Sequence, residues 1–245
     1  RDLHPFPTRR SSDLAPEFVA IANAMARQFR RATGFPLEVV SPGTPNAANA
    51  IYLLMDRSLE AQGDEAYRIE VMPRQIRLSA PRRPGAFYAC QTLRQLLPHA
   101  IEETRPSEAV AWNVPCVDIV DSPRFSWRGY MLDSARHFQT PDEIKRLMDL
   151  LALHKINRLH WHLIDDQGWR LPVPAYPELI RQAAFRPNAN AFLNYRPKES
   201  PDNYGGYYSH EEIRALVAYA QERNITVVPE IEMPGHTLAA LVAYP

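Results

Sequence analysis

Acids, imidazoles and indoles crowd into residues 160 to 170, His-Trp-His-Leu-Ile-Asp-Asp-Gln-Gly-Trp-Arg. Asp165 and Asp166 stand side by side, and two like charges repel, so packing alone is a poor reason for them. A second cluster follows at Glu230, Glu232 and His236, and a third at Asp133 and Arg136. Buried acids are costly unless paired. Structural ion pairing is one reading of the two glutamates, and a site is the other. Carboxylates and imidazoles can move or hold protons, and one cation among several acids suits a polar, neutral, hydroxyl-rich ligand. His160-x-His162 with a further histidine and acids also resembles zinc-ligand chemistry, so a metal-dependent barrel hydrolase is kept as an alternative.

The elements that must position these groups are strands. Alternation sets Leu159, Trp161 and Leu163 against one face and His160 and His162 against the other. The same parity turns Glu230 and Glu232 one way and Val227, Pro229, Ile231 and Met233 the other, toward covering helices. Asp165 lies past the regular strand, so parity leaves its direction open. His236 follows Pro234-Gly235 in a loop. Trp169 either offers a stacking face to a ligand or packs.

Around them the pattern alternates. Arg128–Asp133 reads as a strand, Thr140 caps a helix that runs to about His154, and Asn157–Ile164 is a second strand. Residues 184 to 208 read as a long Pro/Asn/Tyr-rich loop, Ser209 caps a helix to Arg223, and Ile225–Met233 is a third strand. Apolar strands alternating with helices imply parallel βαβ units. The unusual residues fall on the carboxyl side of the strands, which suits a (β/α)8 barrel. No glycine fingerprint follows the first strand, which disfavours a doubly wound nucleotide fold. The expected class is α/β: the first three βα units of a barrel, at 121–245, preceded by a small α+β domain at 15–120. In that domain the patterns predict a helix over about 16–33, short strands at Leu37–Val40 and Ile51–Leu54 around a Ser/Pro/Gly/Asn turn, paired strands at Tyr67–Val71 and Gln75–Ser79, and a helix over Ala86–Leu97. Trp112–Arg128 reads as a connector.

Residues 1–14 carry no clean period, resemble a translated sequencing-adapter read, and are set aside as a non-native extension. Lys+Arg and Asp+Glu are both 28, so the net charge of zero argues against nucleic acid as a partner. No apolar run approaches a membrane span. Cys90 and Cys116 are too few for a disulfide framework, lack metal spacing, and read as buried thiols.

Three ordered motifs carry a family resemblance: Arg128-Gly-Tyr-Met-Leu-Asp-Ser-Ala-Arg-His-Phe138, His160 through Arg170, and Val228-Pro-Glu-Ile-Glu-Met-Pro-Gly-His236. Together they resemble the family 20 glycoside hydrolases, the β-N-acetylhexosaminidases, from about Pro16 onward. The resemblance implies removal of terminal β-linked N-acetylglucosamine or N-acetylgalactosamine from oligosaccharides or glycoconjugates. It implies retention of configuration, no metal and no cofactor. The substrate's acetamido oxygen is the nucleophile, an exception to the two-carboxylate scheme. By motif position Arg136 grips sugar hydroxyls, and Asp165 and His236 form a relay that tunes the catalytic acid; His162 and Glu232, facing the same interior by strand parity, are further candidates for binding substrate. The Asp-Glu pair that supplies the acid follows a Gly-Gly in the family, and no such pair occurs before Pro245. The chain is therefore expected to be an inactive fragment of a hexosaminidase, with a non-catalytic carbohydrate-binding relative as a further alternative. By family analogy the location is periplasmic or extracellular rather than cytoplasmic; natural substrate and oligomeric state are not legible.

Overall fold

A computed structural model describes residues 3–5, 16–40, 49–107, 109–191, 194–198 and 200–245. The chain divides into two compact units, Arg1–Ser126 and Trp127–Pro245.

In the first unit, β1 (Leu3–Pro5) precedes α1 (Val19–Thr33), β2 (Ala50–Met55), β3 (Tyr67–Met72), β4 (Gln75–Ala80), α2 (Arg83–Leu96), β5 (Asn113–Pro115) and β6 (Asp118–Asp121). One sheet has the order β2-β4-β3-β6, with β2 parallel to β4 and the other neighbours antiparallel. A two-stranded pair joins β1 to β5. The apolar stripe of α1 (Ile21, Met25, Phe29) and that of α2 (Ala86, Leu93) are buried, as are Leu53, Ile69, Ile76 and Leu78 of the sheet. Such stripes form because residues three and four apart share one helix face. α2 lies against β3 and β4. Its close approach requires Gly85, where a Cβ would sit 2.0 Å from the Ala66 carbonyl oxygen.

Several expectations are corrected in this unit. The connector over Trp112–Arg128 contains β5 and the sheet-edge strand β6, whose exposed Asp118 and Val120 give no buried-strand signal. The strand at Leu37–Val40 reduces to a single bridge at Val39. The turn expected after it lies at 41–48, outside the described residues. Cys90 is buried, and burial pushes its thiol up to about 12. Cys116 is exposed, because it sits between two short strands rather than under a helix.

The second unit holds the expected alternation. β7 (Gly129–Asp133), α3 (Pro141–Leu153), β8 (Arg158–His162), the hairpin strands β9 (Ile164–Asp165) and β10 (Gly168–Trp169), α4 (Glu178–Ala183), β11 (Phe185–Arg186), β12 (Tyr204–Gly205), α5 (His210–Glu222), β13 (Thr226–Glu230) and α6 (Leu238–Ala243) follow in order. β13, β8 and β7 form one all-parallel sheet with β8 in the centre. Both long helices begin with a capping box. Thr140 Oγ1 accepts from the Glu143 amide at 3.3 Å while Glu143 Oε2 accepts from the Thr140 amide at 2.7 Å. Ser209 and Glu212 repeat the device at 3.1 and 2.7 Å. Each box satisfies amides that a helix start leaves without partners.

Leu159 and Trp161 are fully buried on the helix side of β8, as alternation requires. The third strand ends at Glu230, earlier than expected, and Ile231 and Met233 are exposed rather than packed on helices. The long loop at 184 to 208 contains the short pair β11–β12, too brief to register as a period. None of the helices is long and apolar enough to cross a membrane among the described residues.

Candidate active site

The register of the parallel sheet assembles the site. Asp133, His162 and Glu230 are mutual partners in one row across β7, β8 and β13, at the carboxyl end of each strand. In a parallel sheet, residues in one row share a face, so three ionisable groups meet there. His160, two residues back on β8, lies on the same face and places Nε2 2.5 Å from Glu230 Oε2. His162 Nδ1 reaches that same oxygen at 2.6 Å.

Asp165 is the centre of the cluster, with 1% of its side chain exposed. The tight β9–β10 hairpin turns it inward, which strand parity could not foresee. Its Oδ2 lies 2.7 Å from Arg136 Nη2 and 2.9 Å from His162 Nε2, and its Oδ1 accepts from the Asp166 amide at 2.6 Å. His236 Nδ1 stands 3.3 Å from Asp165 Oδ1. Arg136 also donates from Nη1 to Asp133 Oδ2 at 2.6 Å, and its amide donates to Asp133 Oδ1 at 2.9 Å. The bond with Asp133, helped by the field of Asp165 and Asp166, holds the guanidinium above its usual range despite partial burial. Asp166 plays a different part: its Oδ1 accepts from the amide of Leu238, tying the hairpin to the start of α6.

The structure thus brings Arg136, His162, Asp165 and His236 into one bonded group. Glu232 joins it through Glu230. Burial raises the Glu230 carboxyl, but hydrogen bonds from Glu232, His162 and His160 outweigh this and hold it below the usual range. Glu232 is raised by its hydrogen bond to Glu230, by burial and by repulsion from that neighbour. Two close carboxyls cannot both ionise cheaply, so the charge sits more readily on Glu230 than on Glu232. Trp169 is buried with its Nε1 bonded to the Leu171 carbonyl, so it packs instead of offering a stacking face.

Donor spacing alone raises the question of a cation. Ligand atoms of His162, Glu230 and Glu232 lie within 4.8 Å of one another, as do those of Asp165, Asp166 and His236. Neither triad is laid out as a cage. The shared Glu230 oxygen already faces two imidazole nitrogens, and Asp165 already faces a guanidinium. The arrangement is a chain of carboxylates linked through imidazoles and a guanidinium.

Sequence reasoning missed Arg170, which anchors the loop that carries Arg136. It is fully buried, donating from Nε to the Ser134 carbonyl at 2.9 Å and from Nη2 to Ala135 at 2.8 Å. Its Nη1 donates to Ala184 at 2.5 Å and Gly206 at 3.0 Å. Arg186 adds a bond from Nη2 to the Arg136 carbonyl at 2.7 Å. No period marks these arginines; the only signal is a cation embedded in an otherwise apolar Gly-Trp-Arg-Leu-Pro run.

Comparison with known proteins decides the family. The catalytic domain of glycosyl hydrolase family 20 matches residues 125–245, and domain 2 of that family matches residues 12–122. The chain belongs to glycosyl hydrolase family 20. A β-hexosaminidase of Porphyromonas gingivalis is 39% identical over 231 residues, 94% of this chain and 28% of that protein. An N,N'-diacetylchitobiase of Vibrio harveyi is 38% identical over 184 residues, 73% of this chain and 20% of that protein. Among solved structures, the family 20 β-N-acetylhexosaminidase of Streptomyces coelicolor A3(2) superposes with a TM-score of 0.83 at 35% identity, covering 99% of this chain and 46% of that one. The chain therefore spans less than half the length of these relatives. The likeness establishes the second unit as part of a family 20 barrel, preceded in sequence by the α+β unit.

Proposed function

We propose that this chain is part of an exo-acting β-N-acetylhexosaminidase that hydrolyses terminal β-linked N-acetylglucosamine or N-acetylgalactosamine with retention. The observation that carries the reading is Asp165: a buried carboxylate bonded at once to Arg136 and His162, facing His236, at the carboxyl end of barrel strands in a family 20 chain. The half-exposed Arg136 holds sugar hydroxyls with the Nη atoms that Asp133 and Asp165 aim. Asp165 and His236 orient the catalytic acid and tune its proton affinity. Glu232 remains in reach of substrate. His162, buried with both ring nitrogens engaged, acts through Asp165 and not on the sugar directly. The substrate's acetamido oxygen attacks the anomeric carbon while the acid gives its proton to the departing oxygen. Water then opens the cyclised intermediate and restores the acetamido group. The acid and the acetamido-orienting group belong to a Gly-Gly-Asp-Glu that does not occur in residues 1–245, so these residues alone do not turn substrate over. The chitobiase relative favours short chitin fragments among the candidate substrates.

The test is hydrolysis of an aryl N-acetyl-β-glucosaminide by the protein translated from the complete reading frame, with and without chelator. Activity that survives chelation and falls about 100-fold or more in the Asp165→Asn variant is expected, in line with loss of a preorganised charge. An inactive full-length protein, or one whose activity vanishes on metal removal, refutes the reading. Activity in residues 1–245 alone refutes the placement of the acid.

A further inference from the structure

The bonds around His162 set a hydrogen count. Nδ1 faces Glu230 Oε2 at 2.6 Å and Nε2 faces Asp165 Oδ2 at 2.9 Å. An imidazole nitrogen bonds to a carboxylate oxygen only when one of the two carries hydrogen. Asp165 has no hydrogen to offer, since its oxygens already face the Arg136 guanidinium and the Asp166 amide. Glu230 Oε2 also faces His160 Nε2 at 2.5 Å, and a single acid hydrogen on that oxygen could serve only one of the two imidazoles. Both carboxylates are therefore acceptors, and His162 makes its two bonds together only with hydrogen on both nitrogens. The other charged or titratable groups around it are Glu232 beyond β13, Asp133 and Arg136 beside β7, and Asp166 and His236 on the far side of Asp165.

We propose that Glu230, backed by His160 and Glu232, is a positioning residue: it holds the hydrogen on His162 Nδ1, leaving the Nε2 hydrogen to lock Asp165 in place for Arg136 and His236. Glu230 touches neither Asp165 nor Arg136 among the described bonds, and acts through the imidazole. The assignment rests on the hexosaminidase reading for its activity readout. Without the Glu230 charge, His162 has one anion to face in place of two. The Nδ1 hydrogen then loses the charge that holds it, and with it goes the fixed ring orientation in which Nε2 donates to Asp165.

The experiment compares the full-length enzyme with its Glu230→Gln and Glu230→Asp variants across pH, following kcat/KM on an aryl N-acetyl-β-glucosaminide. Glutamine keeps an acceptor oxygen but drops the charge. Its alkaline limb is expected to move down by about one pH unit relative to the parent. The aspartate variant keeps the charge and restores the limb. A uniform loss at every pH with the limb unmoved means a purely structural role and overturns the proposal, as does an aspartate variant that shifts as far as the glutamine one. Long-range 1H–15N spectra of histidine-labelled protein, with His162 identified by its loss in His162→Gln, provide a readout free of turnover. The proposal expects hydrogen on both His162 nitrogens at neutral pH in the parent, and one lone pair in Glu230→Gln. Failure to hydrolyse any N-acetylhexosaminide sinks the hexosaminidase reading while the spectra still decide this one.

Discussion

Replacing Arg170 by methionine should loosen the strand-to-helix loop that aims Arg136. The guanidinium satisfies four backbone carbonyls, those of Ser134, Ala135, Ala184 and Gly206, at 2.5 to 3.0 Å. A hydrogen bond to a charged group contributes about 1.5–3 kcal/mol net, so four give roughly 6–12 kcal/mol. Methionine fills most of the volume and spares the protein the burial of a cation, which offsets several kcal/mol. A net loss of about 3–5 kcal/mol remains, the usual cost of breaking a buried charged network from one side. The loss is local to 134–140, 184 and 206, so a local measurement suits it better than a global melt of a protein built of several units. Hydrogen exchange of the peptide covering residues 134–140, which includes the Arg136 amide held by Asp133, reads that opening free energy directly. Deprotection by about two orders of magnitude or more is expected, with a raised KM. Arg170→Lys should rescue little, since a point charge cannot reach four carbonyls in a fork. Protection of 134–140 unchanged within a factor of five would refute the argument.

Three further outcomes follow from separate parts of the molecule. Glu232 is raised above its unfolded value, so its contribution to stability is full below about pH 4.5 and is lost as pH rises through the folded value. Glu232→Gln, a permanent mimic of the protonated acid, should raise the melting midpoint near pH 8 relative to the parent and leave it unchanged near pH 4. Gly85→Ala drives a methyl to 2.0 Å from the Ala66 carbonyl, a clash expected to cost about 3 kcal/mol or more, read by urea denaturation of the α+β unit's tyrosine signal. Ser209→Ala removes half of a capping box and should cost about 1 kcal/mol, measurable as faster exchange of the first-turn amides of α5; equal exchange rates would contradict it.

The βαβ order, the two capped helices and the inward turn of His160, His162 and Glu230 were all legible, because each rests on a period or a cap confined to a few neighbouring residues. The site's centre was not. Asp165 gains its direction from a two-residue hairpin, and hairpins that short leave no alternation to read. Arg170 was invisible for a related reason: its partners Ser134, Ala184 and Gly206 are distant in sequence, and backbone carbonyls carry no residue signature. β6 was lost because an edge strand with one wet face does not look apolar. The family motifs pointed to Arg136, His162 and His236 alike, but only geometry separates the partly exposed guanidinium of Arg136 from the buried ring of His162.

The common row of Asp133, His162 and Glu230 also bears on folding fidelity. A slip of β8 by one residue against either neighbour would turn both imidazoles toward the helices and swing Trp161 and Leu159 out of theirs. The misregistered sheet would leave Glu230 without its two imidazoles and Asp165 without one. Each orphaned charge adds to the gap between the right pairing and the nearest wrong one. The polar row therefore serves as a lock on alignment during synthesis, and a chain that has assembled this cluster has, by the same bonds, found its register.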